Sequence, residues 1–227
     1  MIPRPENPLV VALDLSDLDA AENLADRLQG QVGMFKVGLQ LFTGHGPASV
    51  SRVRDHGPVF LDLKLHDIPN TVERASVNIG KIGVAMFTVH ALGGEAMIAA
   101  AVRGAETGAS EAGHPIPVVV AITVLSSLAG EGLASPASLA FEAKAAGAGG
   151  MVVSGEDVST VREVVGEEPY VVVPGIRPAG SNGHDQVRIL TPEEAVERGA
   201  DYLVVGRPIT ASNDPAGVAR AILASVR

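Results

Sequence analysis

Residues 60–71 read FLDLKLHDIPNT. The first half of this stretch alternates apolar and charged side chains with a period of two, which is typical of a β-strand. The three leucines share one face of the strand, whereas Asp62 and Lys64 share the other. Charges inside a sheet are costly unless they are paired and hydrogen-bonded. We therefore expect the leucines to pack against covering helices, and the charges to lie where the fold opens to a ligand.

Similar runs of apolar, strand-forming residues recur along the whole chain and alternate with Ala- and Glu-rich segments that carry helix signals. Mostly continuous apolar strands that alternate with helices indicate a parallel sheet covered by helices. With eight units, closure into a single-domain α/β barrel of the (β/α)8 TIM type over residues 1–227 is the simplest arrangement, and an open doubly wound sheet is the alternative. The eight predicted strands are Leu9–Leu13, Met34–Val37, Val59–Leu63, Ala85–Val89, Val118–Val124, Met151–Val153, Tyr170–Val173 and Tyr202–Val205.

Three segments carry signals for the start of a helix. Ser16 is a plausible N-cap for the segment DLDAAENLADRL. Thr191 is followed by Pro-Glu-Glu, which combines a capping residue, proline at the first helical position and glutamate three residues after the cap. The sequence Asn213-Asp-Pro opens the last predicted helix in a similar way.

Composition excludes several classes of protein. The chain has 227 residues, a formal net charge of −9, 3% aromatic residues and no Lys/Arg cluster, so we expect no nucleic-acid partner. It has no cysteine, which rules out disulfides, thiolate metal sites and a cysteine nucleophile. The start of the chain lacks the basic region of a signal peptide, and prolines break the one uncharged stretch of nearly membrane-spanning length, residues 112–130. We expect a cytoplasmic protein with no membrane partner.

Charged residues also stand at the ends of other predicted strands. Asp14 ends the first run, Lys36 lies within the second, and Asp67 follows the third. The carboxyl ends of barrel strands surround the active-site opening. Together with Asp62 and Lys64, these residues predict a cluster of lysines and carboxylates at one opening, and the alternative is a set of structural ion pairs.

The ends of strands seven and eight suggest an anion site. Loops in these positions of a barrel often bind phosphate through backbone N–H groups. Gly206 would allow close approach of the backbone, Arg207 would supply a two-pronged donor, and Gln186 could add a neutral one. The long glycine-rich segment 174–186 is typical of a lid, although a surface loop is the alternative. The histidines show no metal-ligand spacing, and we expect His90 to be a core residue with its hydrogen bonds satisfied rather than to line the opening.

Several motifs, in order along the chain, resemble the orotidine 5'-phosphate decarboxylase family. DLKLHDIPNT at 62–71 is the most specific of them, and VGRPIT at 205–210 alone would indicate only a phosphate-binding barrel. The resemblance covers the chain from about residue 8 to its end. The other motifs are ALD at 12–14, KVG at 36–38, TVLSS at 123–127 and PGIRP at 174–178.

The resemblance implies roles for the residues of the charged cluster. Lys64 would donate a proton to C6 of the pyrimidine after carbon dioxide leaves, and Asp62 would crowd the departing carboxylate. Asp14 and Lys36 would hold the ribose hydroxyls and complete an alternating Asp/Lys array. The implied catalytic residues are Lys64, Asp62, Asp67 and Lys36.

The resemblance also implies a substrate, a product and a partner. The substrate would be orotidine 5'-monophosphate and the product UMP, with no cofactor and no metal. Asp67 and Thr71 would reach the neighbouring subunit's site, which implies a homodimer. The remaining residues implied to bind substrate are Ser126 at the pyrimidine, Gln186, Gly206 and Arg207 at the phosphate, and Arg177 in the closing loop. His184 stands where the resemblance suggests an acidic residue in the lid, which bears on how the lid closes.

Two alternatives from different classes remain open. A sugar-phosphate decarboxylase or aldolase on a related barrel would share the DxKxxD pattern but would hold a magnesium ion. A catalytically silent phosphosugar-binding barrel would have no use for a proton donor at Lys64. Dependence on metal would identify the first alternative, and the absence of turnover would identify the second.

Overall fold

In the computed structural model, which describes residues 5–123, 134–178 and 190–226, eight parallel strands close into a barrel in the order in which they occur in the sequence. The strands are β1 (Leu9–Ala12), β2 (Met34–Gly38), β3 (Val59–Leu65), β4 (Met86–His90), β5 (Val118–Ile122), β6 (Gly150–Val152), β7 (Tyr170–Pro174) and β8 (Tyr202–Val205). The predicted (β/α)8 barrel is confirmed, and the doubly wound alternative is excluded because β8 pairs with β1.

Helices follow the strands around the outside of the barrel. Within the described residues, no helix is long and apolar enough to cross a membrane. A short 3-10 turn, Ala91–Gly93, connects β4 to the longest helix. The helices are α1 (Leu18–Leu28), α2 (Leu39–His45), α3 (Pro47–Arg54), α4 (Pro69–Lys81), α5 (Gly94–Ala112), α6 (Pro136–Ala145), α7 (Val158–Val165), α8 (Pro192–Glu197), α9 (Arg207–Thr210) and α10 (Pro215–Ser225).

The predicted helix starts are correct except for the first. Asp17 rather than Ser16 caps α1, because its side chain accepts a hydrogen bond of 2.7 Å from the backbone N–H of Ala20. Thr191 caps α8 in the reciprocal arrangement with Glu194 that the sequence predicts. Asp214 caps α10, with proline at the next position.

Two apolar layers lie on either side of the strands. Leu61 belongs to the outer layer, between the strands and the helices, whereas Phe60 points into the barrel. The inner layer includes Ala12, Met34, Phe60 and Met86. The residues two positions further along the same four strands lie on the same side of the sheet, nearer its carboxyl end. They are polar, and they are Asp14, Lys36, Asp62 and Thr88.

Helices α4 and α5 pack with their backbones in close contact. A Cβ added at Gly108 would lie 1.9 Å from the carbonyl oxygen of Val77, and one added at Gly104 would lie 2.2 Å from that of Glu73. No real Cβ approaches a backbone atom so closely. The contact between these helices therefore requires glycine at both positions.

Gly108→Ala should destabilise the fold by about 1–3 kcal/mol, because the added methyl group overpacks a contact between two backbones. Gly44→Ala is the matched control, since Gly44 lies in α2 with nothing within 4 Å of its added Cβ. The control should be neutral or stabilising by up to about 1 kcal/mol, as expected for alanine in a helix. Urea unfolding of both variants measures the difference, and equal stabilities would contradict the proposed packing constraint.

Candidate active site

Two aspartates and two lysines form an alternating chain of charges at the carboxyl end of the barrel. Lys36 Nζ lies 2.9 Å from Asp14 Oδ1 and 3.6 Å from Asp62 Oδ2. Lys64 Nζ lies 2.7 Å from the same Asp62 oxygen. Each inner member of the chain therefore has an oppositely charged neighbour on both sides.

Three adjacent strands position this charge chain. Ala12 of β1 pairs with Lys36 of β2, and Gly38 of β2 pairs with Asp62 of β3, so the charged side chains of successive strands lie side by side. Gly38 leaves the space in which they meet. A Cβ added there would lie 2.8 Å from both Asp14 Oδ1 and Lys36 Nζ, so a larger residue would displace this ion pair.

The backbone of β3 departs from regular pairing at Lys64. Leu61 pairs with Phe87 and Leu65 with Val89, so β3 carries two more residues than β4 over this interval. Lys64 has φ 55°, and it is the one non-glycine residue with positive φ in the described ranges. Such irregularities redirect a side chain and are over-represented next to active sites. The period-two pattern placed Asp62 and Lys64 on one face but gave no sign of this bulge.

The charge chain borders a cavity of about 490 Å³, a size typical of small-molecule sites. Gly206 and Arg207 line it from the end of β8, and Arg177 lines it from the segment after β7. Arg177 is 7% exposed, and its backbone N–H donates to the carbonyl of Leu190 at 3.1 Å. Four of the five residues of the predicted charged cluster therefore share one cavity with Arg177 and Arg207.

Asp67 and Thr71 lie outside this cavity. Both are exposed, and Asp67 Oδ1 accepts a hydrogen bond of 2.6 Å from the N–H of Ile68. Of the cluster predicted at the strand ends, the structure brings together Asp14, Lys36, Asp62 and Lys64 but not Asp67. Ser126, Gln186 and His184 lie outside the described residues.

The sequence motifs did not indicate Thr88, whose hydroxyl contacts both Asp62 and Lys64. The position of Thr88, two residues after Met86, which faces into the barrel, could have indicated a residue near the charge chain. A threonine in a strand does not by itself indicate a function, because β-branched residues are common in strands. The cavity lining also includes Leu39, Gln40 and Thr210, which the motifs did not indicate. No group of three or more His, Asp or Glu side chains suited to hold a metal ion occurs in the described part of the chain.

Comparison with known proteins identifies what the chain resembles. The model of the Orotidine 5'-phosphate decarboxylase / HUMPS family matches residues 7–222. The orotidine 5'-phosphate decarboxylase of Moorella thermoacetica is 46% identical, over 97% of this chain and 92% of its own length. That of Paramagnetospirillum magneticum is 48% identical, over 97% and 98%. The crystal structure of orotidine 5'-phosphate decarboxylase from Lactobacillus acidophilus superposes with a TM-score of 0.84 at 35% identity, covering 98% of this chain and 100% of that one.

His90 ends β4 beside the charge chain, and its ring lies 5.4 Å from that of His66. Its Nδ1 atom is buried and has no hydrogen-bond partner among the described residues, so within that part of the chain the expectation of satisfied hydrogen bonds is not met. Burial lowers the pKa of His90 below its usual value, with smaller contributions from His66 and Lys64 that Asp62 opposes. The neutral imidazole is therefore the favoured form in the folded protein.

The fold should lose stability as the pH falls through about 6.5, because unfolded His90 takes up a proton there while the folded form resists it. Above that pH the imidazole is neutral in both states and the effect disappears. In His90→Gln, urea unfolding between about pH 7.5 and 5.5 should show a shallower loss of stability than in the wild type. An unchanged slope in His90→Gln would contradict this assignment.

Proposed function

Because the chain belongs to the Orotidine 5'-phosphate decarboxylase / HUMPS family, we propose that it converts orotidine 5'-monophosphate to UMP and carbon dioxide without a cofactor. The observation that supports this best is the alternating Asp14–Lys36–Asp62–Lys64 chain at the cavity. It supplies an ammonium group as a proton donor, with a carboxylate beside it to hold it in place.

Lys64 carries the central step of the proposed reaction. The bond between C6 of the pyrimidine and its carboxylate breaks, carbon dioxide leaves, and the electron pair remains on C6. The Lys64 ammonium stabilises the developing carbanion and then transfers a proton to C6, which gives UMP. With 32% of its side chain exposed at the cavity, Lys64 is accessible to a bound ring.

In the proposed reaction, Asp62 faces the substrate's carboxylate. Two like charges repel each other, and the repulsion declines as the substrate carboxylate becomes neutral carbon dioxide. Asp62 is largely buried, with 13% of its side chain exposed, and it contacts both lysines. These contacts hold the carboxylate in position before the substrate arrives.

The remaining residues hold the substrate away from the reacting carbon. Asp14 accepts hydrogen bonds from the ribose hydroxyls, and Lys36 donates hydrogen bonds to them. Gly206 and Arg207, together with Gln186, bind the phosphate, and Arg177 contributes from the segment after β7. Ser126 contacts the pyrimidine. The cavity supports this proposal, because the Asp/Lys chain and both arginines line it.

Mixing purified protein with orotidine 5'-monophosphate should cause loss of the orotate absorbance, equally with and without EDTA. Lys64→Ala should lower kcat by roughly a thousandfold or more, because it removes both the proton donor and the charge opposite the carbanion. Circular dichroism confirms that the variant is folded, and Lys144→Ala, at a lysine on α6 outside the cavity, is the control and should keep full activity.

The other outcomes of this assay are equally informative. If EDTA abolishes the activity, the substrate assignment stands but the metal-free mechanism is overturned. No consumption of the nucleotide would favour a magnesium-dependent sugar-phosphate enzyme or a silent binder. Full activity in Lys64→Ala would contradict the assignment of Lys64 as the proton donor.

The proposal includes a homodimer in which Asp67 and Thr71 complete the partner's site. Both residues are exposed and lie outside the cavity of their own chain. Ile68, next to Asp67, is 65% exposed, and Leu92, after β4, is 45% exposed. Exposed apolar side chains beside polar ones are typical of a protein interface. A second copy of the chain would cover these apolar side chains. It would also bring Asp67 of one chain to the site of the other, which that other chain cannot complete with its own residues.

Mixing Lys64→Ala with Asp67→Ala should restore activity that each variant lacks alone. In a hybrid dimer, one site combines Lys64 of one chain with Asp67 of the other, so random pairing predicts about a quarter of the wild-type activity. The mixture is unfolded and refolded together before the assay, and sedimentation confirms its size. No recovery beyond the sum of the two separate variants would show that Asp67 acts within its own chain or has no role.

A further inference from the structure

Thr88 lies on β4 with no exposed surface, and its hydroxyl joins two members of the charge chain. The N–H of Lys64 lies 2.8 Å from Thr88 Oγ1, and Asp62 Oδ1 lies 3.0 Å from it. The direction of both hydrogen bonds follows from the groups involved. An amide N–H can only donate and a carboxylate can only accept, so the hydroxyl accepts from Lys64 and donates to Asp62.

The first hydrogen bond holds an unfavourable backbone conformation. Left-handed φ angles are unfavourable for a non-glycine residue because Cβ comes too close to the backbone, and Lys64 adopts one at φ 55°. The bulge between Leu61 and Leu65 interrupts regular pairing with β4 at this point. The Thr88 hydroxyl gives the Lys64 amide an acceptor there, and so stabilises the conformation that points the ammonium group towards Asp62.

The second hydrogen bond orients the carboxylate. With Asp62 Oδ1 held by Thr88, Oδ2 is the oxygen that lies 2.7 Å from Lys64 Nζ and 3.6 Å from Lys36 Nζ. Rotation of the carboxylate would break the contact with Thr88 and change both distances to the lysines. The buried Thr88 hydroxyl thus fixes the Asp62 carboxylate and the backbone of Lys64 relative to each other.

We propose that Thr88 is a positioning residue for the reaction, acting through Asp62 and the backbone of Lys64. The inference rests on the proposed function. Thr88 is not among the residues that line the cavity, so its effect on substrate is indirect. Its removal lowers kcat and leaves KM for orotidine 5'-monophosphate nearly unchanged, because the phosphate and ribose contacts do not involve it.

Thr88→Val tests the proposal, because valine has the shape of threonine without the hydroxyl. Its kcat should fall by about 10- to 100-fold, the range expected when a reacting group is misplaced by about 1 Å, with KM within about twofold of the wild type. Thr88→Ser keeps the hydroxyl and should recover kcat to within about threefold. If Thr88→Val does not fold, Thr88→Cys replaces it with the same expectation, since a thiol is a much weaker hydrogen-bonding group.

A matched control separates positioning from a general loss of stability. Ser49 is also fully buried, and its hydroxyl donates to the Gly46 carbonyl at 2.6 Å on α3, outside the cavity. Ser49→Ala should lower the free energy of unfolding and leave kcat unchanged. A Thr88→Val variant that is destabilised in the same way but keeps wild-type kcat would overturn the proposal.

Crystal structures of Thr88→Val and Thr88→Ser test the geometry independently of turnover. In the valine variant, Lys64 should leave the left-handed region or the Asp62–Lys64 contact should be lost, whereas the serine variant should keep both. Unchanged geometry in Thr88→Val would overturn the proposal. A wild-type protein that fails to consume the nucleotide would overturn the proposed function instead, and these structures would still decide whether Thr88 sets the geometry.

Discussion

The alternating Asp14–Lys36–Asp62–Lys64 chain is the constraint on which the rest of the opening depends. Lys36 is only 8% exposed, and charges removed from water are tolerated only when opposite charges and hydrogen bonds replace the lost hydration. Each inner charge here has two opposite neighbours, whereas each outer charge has one, so removing Lys36 would take from Asp14 its partner in the chain, and removing Asp62 would do the same to Lys64. Other features follow from this requirement. Gly38 leaves space for the Asp14–Lys36 ion pair, and the bulge in β3 brings Lys64 to its ion pair with Asp62.

The barrel makes this arrangement possible because its interior changes character along the strands. Near the middle, Met34 and Phe60 belong to an apolar inner layer that excludes water. Two residues further along, the same strands present Lys36 and Asp62. Rigid, hydrogen-bonded strands hold these groups more precisely than loops could, and the apolar layer below them lowers the local dielectric and so strengthens their interaction. The stability that the charges cost is offset by the large outer layer between strands and helices.

Much of this could be predicted from the sequence because it depends on short-range patterns. Period-two alternation identified the faces of β3, and lone charges at the ends of apolar runs identified Asp14 and Lys36. The bulge could not be predicted, since the same alternation continues through Lys64 and its left-handed backbone depends on a contact with β4. Thr88 was missed for a related reason: its partners are 24 and 26 residues away along the chain. The position of Asp67 outside the cavity likewise depends on how the segment after β3 turns into α4.

The proposed reaction gives a physical reason for the arginines to share a cavity with the charge chain. An ion pair at about 4 Å contributes only about 4 kcal/mol at an effective dielectric constant near 20, whereas the largest enzymatic accelerations need about 20 kcal/mol or more. No single ion pair of Lys64 can supply a stabilisation of that size. In the proposed mechanism, binding energy from the phosphate would be used to place and desolvate the ring. Closure of the barrel makes this possible, because pairing of β8 with β1 brings Arg207 to the same cavity as Asp14. In the proposed reaction, the same barrel would hold the phosphate at the end of β8 and the ring near β1 to β3, so binding energy from the phosphate would help to keep the ring next to Lys64.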